Sequence, residues 1–173
     1  MQKSKKTTVR YHNTFLKYWN HFSNLPFGKR IFSHLIGFYV PYTGSMGAVV
    51  KNISPGKSEI QLKERRKVRN HLQSVHAIAL ANLAEFAGNL ALVSAMPDDA
   101  RFIVKSFSID YIKKARGIIT AECSCPTLES NEKSEQHLQI HLKNRDGEIV
   151  TTATMVSMVG PKKTSPEVAG SGQ

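Results

Sequence analysis

Between about Val75 and Met96 the chain carries an almost unbroken apolar segment: Ile78, Leu80, Leu83, Phe86, Leu90, Leu92 and Val93, with alanines filling the gaps. About twenty such residues suffice to cross a bilayer. A helix that is apolar all round is otherwise buried on every side. Glu85 stands near the middle, with Asn82 and Asn89 close by, and is the only ionisable side chain between His76 and Asp98. A carboxylate at the centre of a spanning helix costs roughly 2.5–3.5 kcal/mol on insertion scales. That favours a central helix wrapped by a curved antiparallel sheet, with no membrane span. Glu85 is then expected in a mostly dry setting, either as a structural carboxylate capped by neighbouring donors or as a general base or nucleophile.

The remaining pattern supplies such a sheet. Phe15, Leu16, Trp19 and Phe22 recur at helical spacing between His12 and Phe22, and Pro26-Phe27-Gly28 breaks that helix. Trp19 and its helix are expected to cover the sheet or to line an acyl pocket. A second apolar segment, Ile31 to Val40, is expected to stop at Pro41. The period then changes. Strands are predicted over Met46–Ile53 and Lys57–Glu64 around Ser54-Pro55-Gly56, with Ile60 and Leu62 alternating against polar neighbours. Four more are predicted over Phe102–Ile112, Ile118–Cys125, Gln136–Lys143 and Ile149–Met158, the last two joined at Asp146-Gly147. At 173 residues and 40% hydrophobic content the chain suits one domain. The expected division is a basic flexible arm over 1–10, a single α+β domain over 11–160 and a disordered tail over 161–173.

Asn70 and His76 lie upstream of Glu85. On one regular helix, the nine residues from His76 to Glu85 would span about 13.5 Å and put the two on opposite faces. A site using both ends therefore needs the helix N-terminus of one subunit and the carboxylate of another. The N–H groups near His76-Ala77-Ile78 carry the positive end of the helix dipole and suit an oxyanion formed at a thioester carbonyl. Asn70 could hold the attacking water or the carbonyl, and Glu85 could activate the water or attack directly. The alternative readings are a turn residue for Asn70 and a helix-start or core residue for His76.

The run Asn70-His71-Leu72-Gln73-Ser74-Val75-His76, followed by Glu85, resembles the Asn…His-Gly-Gly…Asp/Glu signature of hotdog acyl-CoA thioesterases of the phenylacetyl-CoA and hydroxybenzoyl-CoA types. Tyr111-Ile112-Lys113-Lys114-Ala115 is similar to the Tyr-x-x-x-Ala that ends their post-helix strand. The resemblance runs from about Met46 to Met158 and is closest to a poorly characterised bacterial branch classed as a domain of unknown function. It implies an α+β hotdog fold, a homodimer or dimer of dimers, and hydrolysis of an acyl-CoA or acyl carrier protein thioester. It also implies site residues Asn70, His76 and Ala77 from one subunit and Glu85 from the other. Ala77-Ile78 stands where the family has Gly-Gly, which hinders backbone approach to the carbonyl but keeps the N–H groups. Ser106 and Ser108 are candidates for the hydroxyl that some relatives place on the next strand. No cofactor is implied beyond coenzyme A as part of the substrate.

The formal net charge of +11 favours anionic partners. Arg65, Arg66, Lys67 and Arg69, with Lys113, Lys114 and Arg116, are candidate contacts for the phosphates of coenzyme A, or simply solvated cations. No stacking motif or DNA-reading helix stands out, so specific nucleic-acid binding is not expected. Cys123 and Cys125 sit too close on one strand for a framework disulfide, and no secretory signal opens the chain, which together suit the cytoplasm. Cys-x-Cys lacks the usual zinc spacing, and no metal is expected at these cysteines or at His137 and His141. Two further functions stay open: an acyl-CoA-binding or sensing module without turnover, and a hotdog dehydratase or hydratase.

Overall fold

A computed structural model describes residues 13–162, so the basic arm and nearly all of the predicted tail lie outside it. Three helices come first, α1 (Thr14–Ser23), α2 (Gly28–Tyr39) and the short α3 (Pro41–Ser45). The hairpin β1 (Val49–Ser54) and β2 (Lys57–Lys63) follows, then a single 3₁₀ turn (Arg66–Val68) and the long helix α4 (Ala77–Ala95). The chain closes with β3 (Ala100–Tyr111), β4 (Ile118–Ser124), β5 (Ser134–Lys143) and β6 (Ile149–Pro161). The six strands form one antiparallel sheet in the order β1-β2-β4-β5-β6-β3, so β3 crosses over to the far edge after α4.

Pro41 does not simply end the second helix. It occupies the first turn of α3, where its missing N–H is no loss. Gly44 lets α3 fold back on α2, since a Cβ there would sit 2.3 Å from the Gly37 carbonyl oxygen. Asn13 explains why α1 holds its place. Its side-chain oxygen caps Leu16 N, while its amide donates to the Val93 and Met96 carbonyls at the end of α4. Trp19 is buried against Phe32 of α2, with ring centroids 5.1 Å apart, so the first helix packs mainly on α2 and reaches the sheet at its β1 edge.

Helix α4 touches all six strands, and Leu80, Leu83, Ala84, Ala87, Ala91 and Leu92 on it are buried. Facing them are the inward residues of period-2 strands, among them Ile60, Leu62, Ile119, Leu138, Ile140 and Leu142, all completely buried. On β5 the alternation puts His137 and His141 outside, opposite those apolar side chains. A bulge at Lys105 shifts the β3–β6 register between Val104 and Ser106, which keeps Phe107 and Ile109 facing inwards.

The sheet covers α4 on one side, and Glu85 is exposed within the single chain, so this chain's own sheet does not supply the dry setting expected for it. Ile78, at 56% exposure, and the partly exposed Ala81 and Asn89 extend the same open stripe at i, i+3, i+4 spacing. Alanine and isoleucine make this stripe look like core in the sequence, although the chain's own sheet never reaches it. By length and composition α4 could cross a membrane, yet over half of its apolar window is buried inside the fold.

Candidate active site at the start of the central helix

The loop between β2 and α4 is built from its own polar groups. Asn70 closes an Asx-type turn, its side-chain oxygen accepting from Leu72 N (3.0 Å), Ser74 N (3.2 Å) and the Ser74 hydroxyl (3.1 Å). Gln73 takes a positive φ of 55° in that turn. The loop is stitched to the body by His76 N to Val68 O and Val75 N to Ala115 O, both 2.8 Å. Glu64 locks its base, with one carboxylate oxygen accepting from Gly117 N (2.6 Å) and the other from Arg69 (2.7 Å). The Gly117 N–H, then the Arg69 guanidinium and more distant Arg116, hold the Glu64 carboxyl below its usual range, although partial burial opposes them.

Beside this loop lies a cavity of about 300 Å³ lined by Asn70, Ala77, Leu80, Tyr111, Lys113 and Lys114, among others. The Tyr111 hydroxyl donates to the Ala77 carbonyl oxygen at 3.1 Å, tying the end of β3 to the first turn of α4. Burial raises the Tyr111 pKa. Besides the Lys114 ammonium, donors remain here for a ligand. The Ala77 N–H has no intrahelical acceptor, as helix geometry dictates, and the Asn70 amide nitrogen has no partner among the described residues.

The predicted residues divide accordingly. Asn70, Ala77, Lys113 and Lys114 meet at this cavity. His76 is the α4 N-cap, its Nδ1 accepting from Ile78 N at 3.1 Å, which agrees with the helix-start reading and occupies one of the expected oxyanion donors. Glu85 stands eight residues beyond Ala77, about 12 Å along the helix, and is not part of the cavity lining. Arg65 and Lys67 open instead onto a second cavity near α2 and α3, while Arg69 is held by Glu64 and Gln73, and Lys113 by Glu148. Ser106 and Ser108 are exposed on the outer face of β3. Glu64, Ser74 and Tyr111 were not among the predicted site residues. Tyr111 alone had a local signal, the Tyr-x-x-x-Ala whose alanine carbonyl also anchors Val75.

Burial pushes the Cys123 thiol up to about 12, helped by Cys125, and that of Cys125 to about 11. Both are free thiols. Among the described residues no group of three His, Cys, Asp or Glu side chains converges as metal ligands.

The fold, a long helix laid on an open six-stranded antiparallel sheet, is the hotdog fold of thioesterase structures. A structural-genomics crystal structure is 26% identical with a TM-score of 0.73, covering 85% of this chain and 97% of that one. A Pseudomonas aeruginosa protein of unknown function, a probable thioesterase, is 22% identical with a TM-score of 0.70, covering 80% and 97%. A hypothetical thioesterase from Streptococcus pneumoniae TIGR4, solved with coenzyme A, is 16% identical with a TM-score of 0.61, covering 75% and 99%. No protein of curated function matches significantly. Residues 28–159 match the model of the domain of unknown function DUF4442, and the chain belongs to that family.

Proposed function

We propose that the protein is a thioesterase that hydrolyses acyl-CoA, or an acyl carrier protein thioester, to free acid and thiol. The observation that carries this is that Asn70 and Ala77 line one cavity at the positive end of α4. A thioester carbonyl seated there would place its oxygen on the Ala77 N–H, which stabilises the negative charge that develops on attack. The Asn70 amide would orient the attacking water or the carbonyl. Lys114, which has no ion-pair partner among the described residues, would meet a phosphate of coenzyme A, with Lys113 beside it. Coenzyme A enters as part of the substrate, and no resident cofactor is invoked.

Glu85 completes the reaction from a second copy. Its exposure on the open stripe of α4 supports this, as does the free edge of the twelve-residue β3, where a second chain can extend the sheet. The partner carboxylate takes a proton from water as the water oxygen bonds to the carbonyl carbon. The tetrahedral intermediate then expels the thiolate, and the proton passes to the sulfur. The free thiols and the absence of a framework disulfide suit the same activity in the cytoplasm.

The test is thiol release from short, medium, long and aromatic acyl-CoAs by wild type and Glu85→Ala. The expected result is release by wild type and a loss of about a hundredfold in a folded variant. Equal release by both proteins would sink the carboxylate mechanism, and no release on any substrate would sink hydrolysis. A second reading, acyl-CoA binding without turnover, is favoured by one observation: His76 already occupies the Ile78 N–H, leaving fewer free donors at the helix start.

A further inference from the structure

Helix α2 presents a face that the rest of the fold does not use. Gly28 and Phe32 turn inwards, whereas Phe27, Ile31, Leu35 and Phe38 form a stripe at helical spacing, exposed by 75%, 45%, 51% and 88%. Tyr39 at the end of α2 and Tyr42 in α3 prolong the exposed surface, at 88% and 67% exposure. Phe27 holds a φ of +58°, a region that bulky residues seldom occupy, and still points its ring into solvent. Exposed apolar contacts this contiguous mark interaction surfaces on proteins.

The chemistry beside the stripe identifies the partner. Arg30 and His34 run along one border of α2, and with Phe38, Arg65 and Lys67 they line a cavity of about 600 Å³ that has no Asp or Glu in its wall. Arg65 donates to the Met46 carbonyl, but Arg30 and Lys67 have no ion-pair partner among the described residues. We propose that this face docks the protein on an anionic lipid bilayer. The phenyl and aliphatic side chains enter the boundary between headgroups and acyl chains, the two tyrosines lie at headgroup level, and Arg30 and Lys67 meet lipid phosphates. A second copy fits the same face less well. With the two α2 helices antiparallel, a two-fold contact would set each cationic border against its own counterpart, on a chain of net charge +11.

Flotation of the full-length protein with vesicles tests the assignment. Vesicles of phosphatidylcholine mixed equally with phosphatidylglycerol should carry the protein at about 0.1 M salt, and pure phosphatidylcholine at least about tenfold less. Arg30→Glu changes the local charge by two and should weaken binding by about 25-fold, at roughly fivefold per charge. Phe27→Ser with Phe38→Ser should abolish salt-resistant binding. All of these side chains are exposed, so both variants should keep the wild-type melting temperature. The proposal is overturned by no flotation with anionic vesicles, by equal flotation with both lipids, or by variants that bind like wild type. Sedimentation showing a wild-type oligomer that Phe27→Ser with Phe38→Ser dissociates would assign the face to a second copy and overturn it equally.

Discussion

Glu64→Gln should loosen the floor of the candidate site without altering its lining. The wild-type carboxylate accepts one hydrogen bond from Gly117 N and one from Arg69, at 2.6 and 2.7 Å, and its side chain is only 11% exposed. Glutamine is nearly isosteric and keeps one acceptor oxygen, which can stay on the Gly117 N–H. That bond loses its charge assistance, worth about 1 kcal/mol. The new amide NH₂ then faces the Arg69 guanidinium, donor against donor. Arg69 is 39% exposed, so solvent screening limits the lost pair to about 0.5 kcal/mol. The sum is about 1.5 kcal/mol, or roughly 3–6 °C in Tm for a chain of this size. The pH dependence has a definite sign. A carboxyl whose folded pKa lies below its ordinary 4.5 binds fewer protons folded than unfolded. Its stabilisation is complete above about 4.5 and is lost as pH falls through the lowered folded value. Urea denaturation from pH 7 down to about 3 should therefore show the two proteins converging in acid. A difference below about 0.5 kcal/mol at pH 7, or one that persists unchanged to pH 3, would refute the assignment of Glu64 as the charged clamp of this loop.

Two other side chains give sharp expectations. The Ser94 hydroxyl is completely buried, accepts from Gly56 N and lies within hydrogen-bond distance of the Ser54 and Ala91 carbonyls. Ser94→Ala should cost about 1–3 kcal/mol in chemical denaturation by leaving a buried N–H without its acceptor, and a neutral result would mean the turn relaxes to solvent. With the Cys125 thiol held at about 11 and that of Cys123 at about 12, alkylation at pH 8 should be far slower than for a free cysteine and should accelerate only above about pH 10. Fast labelling of the folded protein at pH 8 would contradict their buried placement.

The sheet was legible from the period-2 alternation of its strands, and the long helix from its unbroken apolar run. Helix α4 falls inside the apolar segment, and the predicted strands differ from the observed ones only by a few residues at their ends. What the pattern could not carry was the direction of coverage. An apolar helix reads the same whether its outer stripe meets a sheet, a partner or solvent, so the exposure of Glu85 appears only once the sheet is seen to stop short of it. Asn70 and Ala77 were legible as a spacing. Tyr111 was not assigned to the site because its contact with Ala77 spans 34 residues and depends on β3 crossing to the far edge of the sheet. Glu64 is similar, since Gly117 reaches it from 53 residues away.

The same distinction applies to the charge. A net +11 in the sequence counts every cation alike, but the fold divides them. Arg65 supports the turn after α3 through the Met46 carbonyl, Arg69 braces the site loop through Glu64, and Lys113 is matched by Glu148. Those cations are already neutralised or committed, so an incoming phosphate must compete with a bond that is already made. Arg30 and Lys67 near α2, and Lys114 in the loop after β3 beside the candidate site, carry no such commitment among the described residues. Uncommitted positive charge thus stands both beside the candidate oxyanion site and beside an exposed aromatic stripe. Charge reversal of Lys114 should therefore weaken a phosphorylated thioester substrate while leaving vesicle binding intact, and charge reversal of Arg30 should do the opposite.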